Sequence, residues 1–416
     1  MQTNADARRK EFYAKAADYR AALANSRSFA EHYELWRKTS IPYDIYSNRP
    51  SSEEYKSEVI DIYRALTSVE YATSNEMTST LQESEEAFES GYPWQSKSLE
   101  VIAQEVAKVA QALRALAAAG MEGKKIIEFG AGWGNLAVPL AKGFQDVTVV
   151  DIDPGFIGRL QRICDREHVR IATIESDFTE VVHKTDEKFD AAIFQASFHH
   201  CLEFQLLLRQ MRDRLLTERG KIFFFSEPIF DNYRFPWGLR YDGESLWAIM
   251  CNKWLELGFD RSFFANLLLE TGFFLTRIPE VPGYVGSGWC AEQTRHPIDF
   301  AKWVLPVECD ATFHPADTFE GRFCRDRSRL PALPPDKSYR LEVVNYGPKK
   351  LAFSIRAGAA TGAYKLEPGL ARIVDVASPS GPVEISSETF CPAKSIRGNP
   401  DTRVLGLNIR KVSVVG

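Results

Sequence analysis

Glu128, Gly130, Gly132 and Gly134 fall in one short run, Glu128-Phe-Gly-Ala-Gly-Trp-Gly134, after the strand-like Lys125-Ile-Ile and before a helical pattern from Asn135 to Lys142. Glycines between a strand and a helix let backbone N–H groups approach a ligand, because no Cβ stands in the way. The dinucleotide pattern G-x-G-x-x-G puts its third glycine one residue later than this loop does. A carboxylate ahead of the loop is misplaced beside a pyrophosphate. It suits a ligand that carries an ammonium group and no phosphate.

S-adenosylmethionine is such a ligand, and the elements that must position it follow in chain order. Val147 to Val150 is β-branched and ends in Asp151, roughly 20 residues past the glycines, where an acidic residue meets ribose hydroxyls in nucleoside-binding α/β units. A helical stretch, Gly155 to Glu167, leads to a strand from Val169 to Ile174. That strand runs into Asp177 and Phe178, candidates for bonding the adenine amino group and covering its face. Phe189 to Phe194 and Gly220 to Ser226 read as two more strands. Alternating strands and helices predict a parallel sheet with ligands at its carboxyl ends. Singly, the glycines are turn residues and Asp151, Asp153 and Asp177 are caps; together they mark one cofactor site.

On these residues the segment 96–280 resembles a class I S-adenosylmethionine-dependent methyltransferase, with Glu where the family's first motif more often has Asp. The resemblance implies a Rossmann-like α/β fold, and it implies that Glu128, Gly130, Gly132, Gly134, Asp151, Asp177, Phe178 and Gln195 bind the cofactor. Methyl transfer to a hydroxyl is an in-line displacement that needs an aligned acceptor and a base. The family places such groups after the fourth strand, where this chain has Gln195-Ala-Ser-Phe-His199-His200. Imidazole titrates near neutrality. Adjacent residues on a regular element do not share a pocket, so one of the two histidines is expected as base, His199 ahead of His200, with Glu227 as the competitor. No compact acidic cluster follows that strand, and a metal-independent reaction is expected.

The length of 416 residues exceeds one such core, at roughly 150 residues per domain. Residues 1–95 read as helices broken at Ile41-Pro-Tyr and Asn48-Arg-Pro50, with the aromatic Tyr92 to Ser98 as a lid; these helices either pair two subunits or pack on the core. An insertion at 228–258 is longer than an ordinary αβ loop of about 2–6 residues. Its Tyr233, Trp237, Arg240, Tyr241, Asp242 and Glu244 are expected to wall the acceptor pocket, while Phe235 and Leu246 belong to the core. Residues 281–337, rich in proline, read as a linker. Short strands in 338–416 predict a small C-terminal antiparallel β-sandwich.

The net charge is -5 and there is no basic stripe, which argues against nucleic acid as partner. No apolar stretch approaches the roughly 18 residues of a membrane span, and the expected location is cytoplasmic. The seven cysteines are scattered and form no C-x-x-C pair, so neither a disulfide framework nor a zinc knuckle is indicated.

The ending Asp401-Thr-Arg-Val-Leu-Gly-Leu-Asn-Ile-Arg-Lys-Val412 resembles one found on bacterial proteins of surface-polysaccharide assembly. Phe235 to Trp247 and Trp254 to Phe259 are similar to segments of methyltransferases from the same gene neighbourhoods. The resemblance implies a sugar hydroxyl of an O-antigen or capsule-type glycan as acceptor, and glycan-assembly enzymes as partners. A small metabolite or amine acceptor, or a non-catalytic scaffold that binds the cofactor, are the alternatives.

Overall fold

The computed structural model describes residues 2–23, 31, 34, 50–77, 79, 85–143, 145–240, 243–278, 288–316, 320–377 and 381–416. Among them, β1 (Lys125–Phe129), β2 (Asp146–Asp151), β3 (Ala172–Glu175), β4 (Phe189–Gln195) and β5 (Leu216–Phe225) pair in parallel. The three strands β6 (Ile229–Phe230), β7 (Trp237–Leu239) and β8 (Leu257–Asp260) form a small separate sheet, and β9 (Phe273–Arg277) and β10 (Gly288–Gln293) complete the large one. Its order is β3-β2-β1-β4-β5-β10-β9, with β10 antiparallel to both neighbours.

β1, β4 and β5 are nearly continuous apolar runs because both faces of the sheet are covered. Ile127, Phe129, Phe194 and Phe224 point into one core, which also takes Phe12 and Tyr19 of the helix Gln2–Leu23 and Tyr55, Ile62 and Leu66 of the helix Glu53–Thr67. Ile126, Ile193 and Phe223, the alternate residues, pack against the helix Leu99–Ala118 on the other face. The helix Glu53–Thr67 opens with a capping bond, Ser52 Oγ accepting from Tyr55 N at 3.2 Å.

The N-terminal helices and the insertion form one cap over the carboxyl end of the sheet. Tyr55 Oη donates to Trp237 O and Tyr63 Oη to Lys253 O, each at 2.6 Å. Leu255 N donates to Glu76 Oε1 at 2.8 Å.

The C-terminal module corrects the predicted boundary. β11 (Ile298–Asp299), β12 (Arg322–Phe323) and β13 (Arg327–Leu330), all inside the expected linker, pair with β19 (Asn408–Val415) or β18 (Val383–Ser387). β14 (Ser338–Val344) and β17 (Ala371–Ala377) complete the β19 sheet; β15 (Leu351–Ala357) and β16 (Ala360–Leu366) complete the β18 sheet. Phe300, Trp303, Leu305 and Phe313 fill the core between the two sheets, so the proline-rich stretch is part of the sandwich. β16 was not expected, since Ala-Thr-Gly-Ala carries little strand signal. The module joins the large sheet at its β9 edge, where Val304 N donates to Leu275 O at 2.8 Å and Phe274 meets the Trp303 ring.

Candidate active site

The carboxyl ends of β1, β2 and β4 open on a cleft of ≈ 310 Å³ that Glu128, Gly130, Gly132, Asp151, Phe178 and Gln195 line together. Gly130 (φ +68) must lack a side chain, because a Cβ there would lie 2.8 Å from the Ser197 Cβ and 3.1 Å from the Phe178 ring. Gly132 (φ +46) differs, since an added Cβ would meet nothing within 4 Å. Its empty side faces the room a ligand needs. Gly134 lies off this cleft, its Cβ position 2.8 Å from Leu160 Cδ1, and serves helix packing. Asp177 faces an adjoining cavity, and its Oδ1 accepts from Thr179 N at 2.8 Å and Thr179 Oγ1 at 2.7 Å. The two cavities share Glu76, Ile152, Phe178 and His200.

Two buried carboxylates stand side by side here. Burial, and then the neighbouring Asp151, raise the Glu128 pKa to about 8, and its Oε2 has no hydrogen-bond partner. Burial raises Asp151 to about 6, less far because Asp153 N and Gly132 N donate to it, each at 2.9 Å. An unpaired buried carboxylate oxygen beside an open glycine is a cradle for a cationic ligand. The residues present therefore fit a cationic methyl donor such as S-adenosylmethionine.

After β4 the chain turns through Ala196 (φ +52), and after β5 through Ser226 (φ +56); both residues border the cleft. Left-handed backbone at a non-glycine residue costs about 1–2 kcal/mol, and it turns the following residues back toward the cap. Glu227, from the end of β5, holds the turn after β4. Its Oε1 accepts from Ser197 N at 2.7 Å and Phe198 N at 2.9 Å, and its Oε2 meets His199 Nδ1 at 2.8 Å. Burial opposes the Glu227 charge, but His199 and these donors outweigh it and lower its pKa.

Glu227 and His199 therefore sit behind the cleft wall, and His200 is the member of the predicted trio that lines it. Burial opposes a charge on His200, yet Glu76, at 3.0 Å from its Nδ1, with Glu256 and Glu227, raises its pKa to about 9. The two ring centroids lie 4.2 Å apart, yet His200 borders the cleft and His199, expected ahead of it, does not. Residues Phe198–His200 form one 3-10 turn rather than a regular strand or α-helix.

Of the predicted acceptor wall, Tyr233, Trp237 and Arg240 make contacts within the fold. Trp237 is buried, donates from Nε1 to Pro50 O at 2.7 Å and packs on Tyr55 and Phe204. Tyr233 Oη donates to Leu239 O at 3.0 Å and its ring rests beside Gly258. Arg240 faces Glu256 at 3.5 Å, Glu244 is exposed, and Tyr241 and Asp242 lie outside the described residues. Phe235 and Leu246 are in the core. In the segment expected as a lid, Tyr92 borders the cleft and accepts from Asn135 Nδ2 at 3.0 Å, while Trp94 is turned out and 53% exposed.

The wall instead includes Glu76, Tyr92, Glu105, Lys108, Ser226 and Trp254. Among the described residues, Trp254 Nε1 and Gln195 Oε1 are buried without partners, and the Trp254 ring stands edge-on to His200. Of these, Trp254 stood in a segment already singled out; Glu76, Glu105 and Lys108 belong to ordinary helical sequence with no local mark.

Residues 126–220 match the family described as methyltransferase domain. The release factor glutamine methyltransferase of Dictyoglomus turgidum is 25% identical over 167 residues, 39% of this chain and 48% of that one. The chain thus spans about half the length of the curated relative it matches. Among solved structures, it resembles the 1,6-didemethyltoxoflavin-N1-methyltransferase of Burkholderia thailandensis, bound to S-adenosylhomocysteine (19% identity, 46% and 80% of the two chains, TM-score 0.35). It also resembles the magnesium protoporphyrin IX methyltransferase of Synechocystis (16%, 49% and 88%, TM-score 0.35). Residues 126–220 are a methyltransferase domain, and S-adenosylmethionine is the methyl donor such a domain takes.

Proposed function

We propose that this methyltransferase domain serves an O-methyltransferase that places a methyl group on a sugar hydroxyl of a bacterial surface glycan. When bound, S-adenosylmethionine supplies a methyl carbon made electrophilic by its sulfonium. Glu128 and Asp151 hold and orient it, Phe178 covers one face of the site, and Asp177 marks the adenine side.

The observation that carries the acceptor half is the pair of buried polar atoms left unpartnered at the cleft, Trp254 Nε1 and Gln195 Oε1. One is a donor and one an acceptor, which is what a hydroxylated ligand satisfies. The cleft's lysine, Lys108, is already paired with Glu105, and the remaining charged lining is carboxylate apart from His200. Such a wall favours a neutral sugar over the diphosphate of a nucleotide sugar. Glu76, which lines the cleft beside His200, is the carboxylate that takes the departing hydroxyl proton, and His199 and Glu227 fix the turn that carries His200. The Asp401–Val412 ending and the sandwich that carries it support glycan or glycan-assembly enzymes as partners.

The test is transfer of labelled methyl from S-adenosylmethionine to lipid-linked and free oligosaccharides, with the product mapped by mass spectrometry. Methylated sugar, lost in Asp151→Ala, supports the reading. Methyl transfer only to amines or small metabolites would overturn the acceptor half, and failure to bind S-adenosylhomocysteine would overturn both halves.

A further inference from the structure

Behind the part of the cleft wall that His200 forms, two imidazoles and a carboxylate converge. One ring nitrogen each of His199 and His200 and a carboxylate oxygen of Glu256 lie within 4.8 Å of one another. His199 Nδ1 is engaged by Glu227, which leaves Nε2 facing Glu256 Oε2 at 3.6 Å. That separation is too long for a hydrogen bond. It is close to the spacing of two atoms that share an ion, since ligands about 2.1 Å from a tetrahedral metal stand about 3.4 Å apart.

A histidine whose second nitrogen is held by a carboxylate is oriented as metal ligands usually are, and His199 is so held by Glu227. His200 lies beside it, its Nδ1 3.0 Å from Glu76 Oε2 but not aligned for a hydrogen bond. His199 and Glu256 are both buried.

We propose that His199, His200 and Glu256 bind one divalent transition-metal ion, Zn²⁺ or an ion of similar preference for imidazole. Two nitrogens and one carboxylate leave a coordination position open, and His200 borders the cleft, so that position faces the acceptor. Arg240, 3.5 Å from Glu256 Oε2, is the competing cation, and Glu76 and Glu227 face the site as further carboxylates. In methyl transfer the ion would bind the acceptor hydroxyl and acidify it; its proton passes to Glu76, the O–CH₃ bond forms and the S–CH₃ bond breaks. That role rests on the acceptor reading above, whereas the binding of the ion does not.

The experiment uses the full chain, freed of metal by chelation and titrated with Zn²⁺ and then Co²⁺ in the absence of donor and acceptor. One Zn²⁺ per chain and visible d–d bands from Co²⁺ are expected. Glu256→Gln and His199→Gln should each weaken binding at least 10-fold, and Arg240→Gln should tighten it. Retained S-adenosylhomocysteine binding checks that each variant is folded. Absence of saturable Zn²⁺ binding, a cobalt–thiolate charge-transfer band that puts the ion on a cysteine, or affinity unchanged in both Glu256→Gln and His199→Gln overturns the site. If Zn²⁺ binds as expected while S-adenosylhomocysteine does not, the metal site stands and the methyl-transfer reading falls.

Discussion

Glu227 Oε2 meets His199 Nδ1 at 2.8 Å, while the other oxygen of the same carboxylate takes two backbone N–H groups of the turn that carries His199. One side chain from the end of β5 thus fixes the turn after β4. Removing one partner of a buried pair leaves the other uncompensated, at about 3–5 kcal/mol. Glu227→Ala should lose stability on that scale in urea denaturation and Glu227→Gln less, because the amide oxygen still accepts from Ser197 and Phe198.

The cleft glycines separate fold from ligand. Gly130→Ala places a Cβ against Ser197 and should lower the melting temperature. Gly132→Ala meets no protein atom, so its stability cost should be only the backbone term of about 1–2 kcal/mol. Its Cβ would intrude on the ligand's space, and S-adenosylhomocysteine affinity by calorimetry should fall at least 10-fold.

Donor binding should depend on pH through Glu128 and Asp151, raised to about 8 and about 6. A cationic ligand needs both carboxylates ionised. Affinity for S-adenosylmethionine should therefore rise as pH climbs through about 6 and about 8, where the two carboxylates ionise, with proton release visible in buffers of different ionisation enthalpy. The stability of the unliganded protein runs the other way. A carboxyl whose folded pKa is raised contributes its stability below its ordinary value of 4.5 and loses it as pH climbs through about 8. Glu128→Gln should flatten both curves.

Two tryptophans of the insertion should behave differently. Trp237 is enclosed by Tyr55, Phe204 and Pro50, and Trp237→Ala should cost about 3–5 kcal/mol of stability. Trp254→Phe keeps the ring and removes the unpartnered N–H. It should leave the melting temperature nearly unchanged and raise KM for the acceptor.

The glycine-loop side of the cleft was legible because its residues come from one stretch in which each strand end carries its own mark: Glu128 and the glycines, Asp151, Phe178. The acceptor side was not. Glu76 reaches His200 from more than a hundred residues earlier in the chain, and nothing in Thr73-Ser-Asn-Glu76 separates it from an ordinary helical segment. The aromatics of 228–258 suggested a sugar-binding wall, yet Trp237 and Tyr233 face the N-terminal helix and their own small sheet. Aromatic content reports burial as readily as recognition. The linker was misread for the converse reason, since its prolines masked the spacing of Phe300, Trp303 and Phe313.

The two sides of the cleft thus have separate origins in the chain: the first runs from Glu128 to Phe178, the second is assembled from Glu76 to Lys108 and from Gln195 to Trp254. Selection for a new acceptor can rework the second without touching the first. Relatives that share the glycine loop can therefore diverge in what they methylate, while the N-terminal helices, whose Phe12, Tyr19 and Tyr55 share one core with Ile127 and Phe129, tie the two halves together.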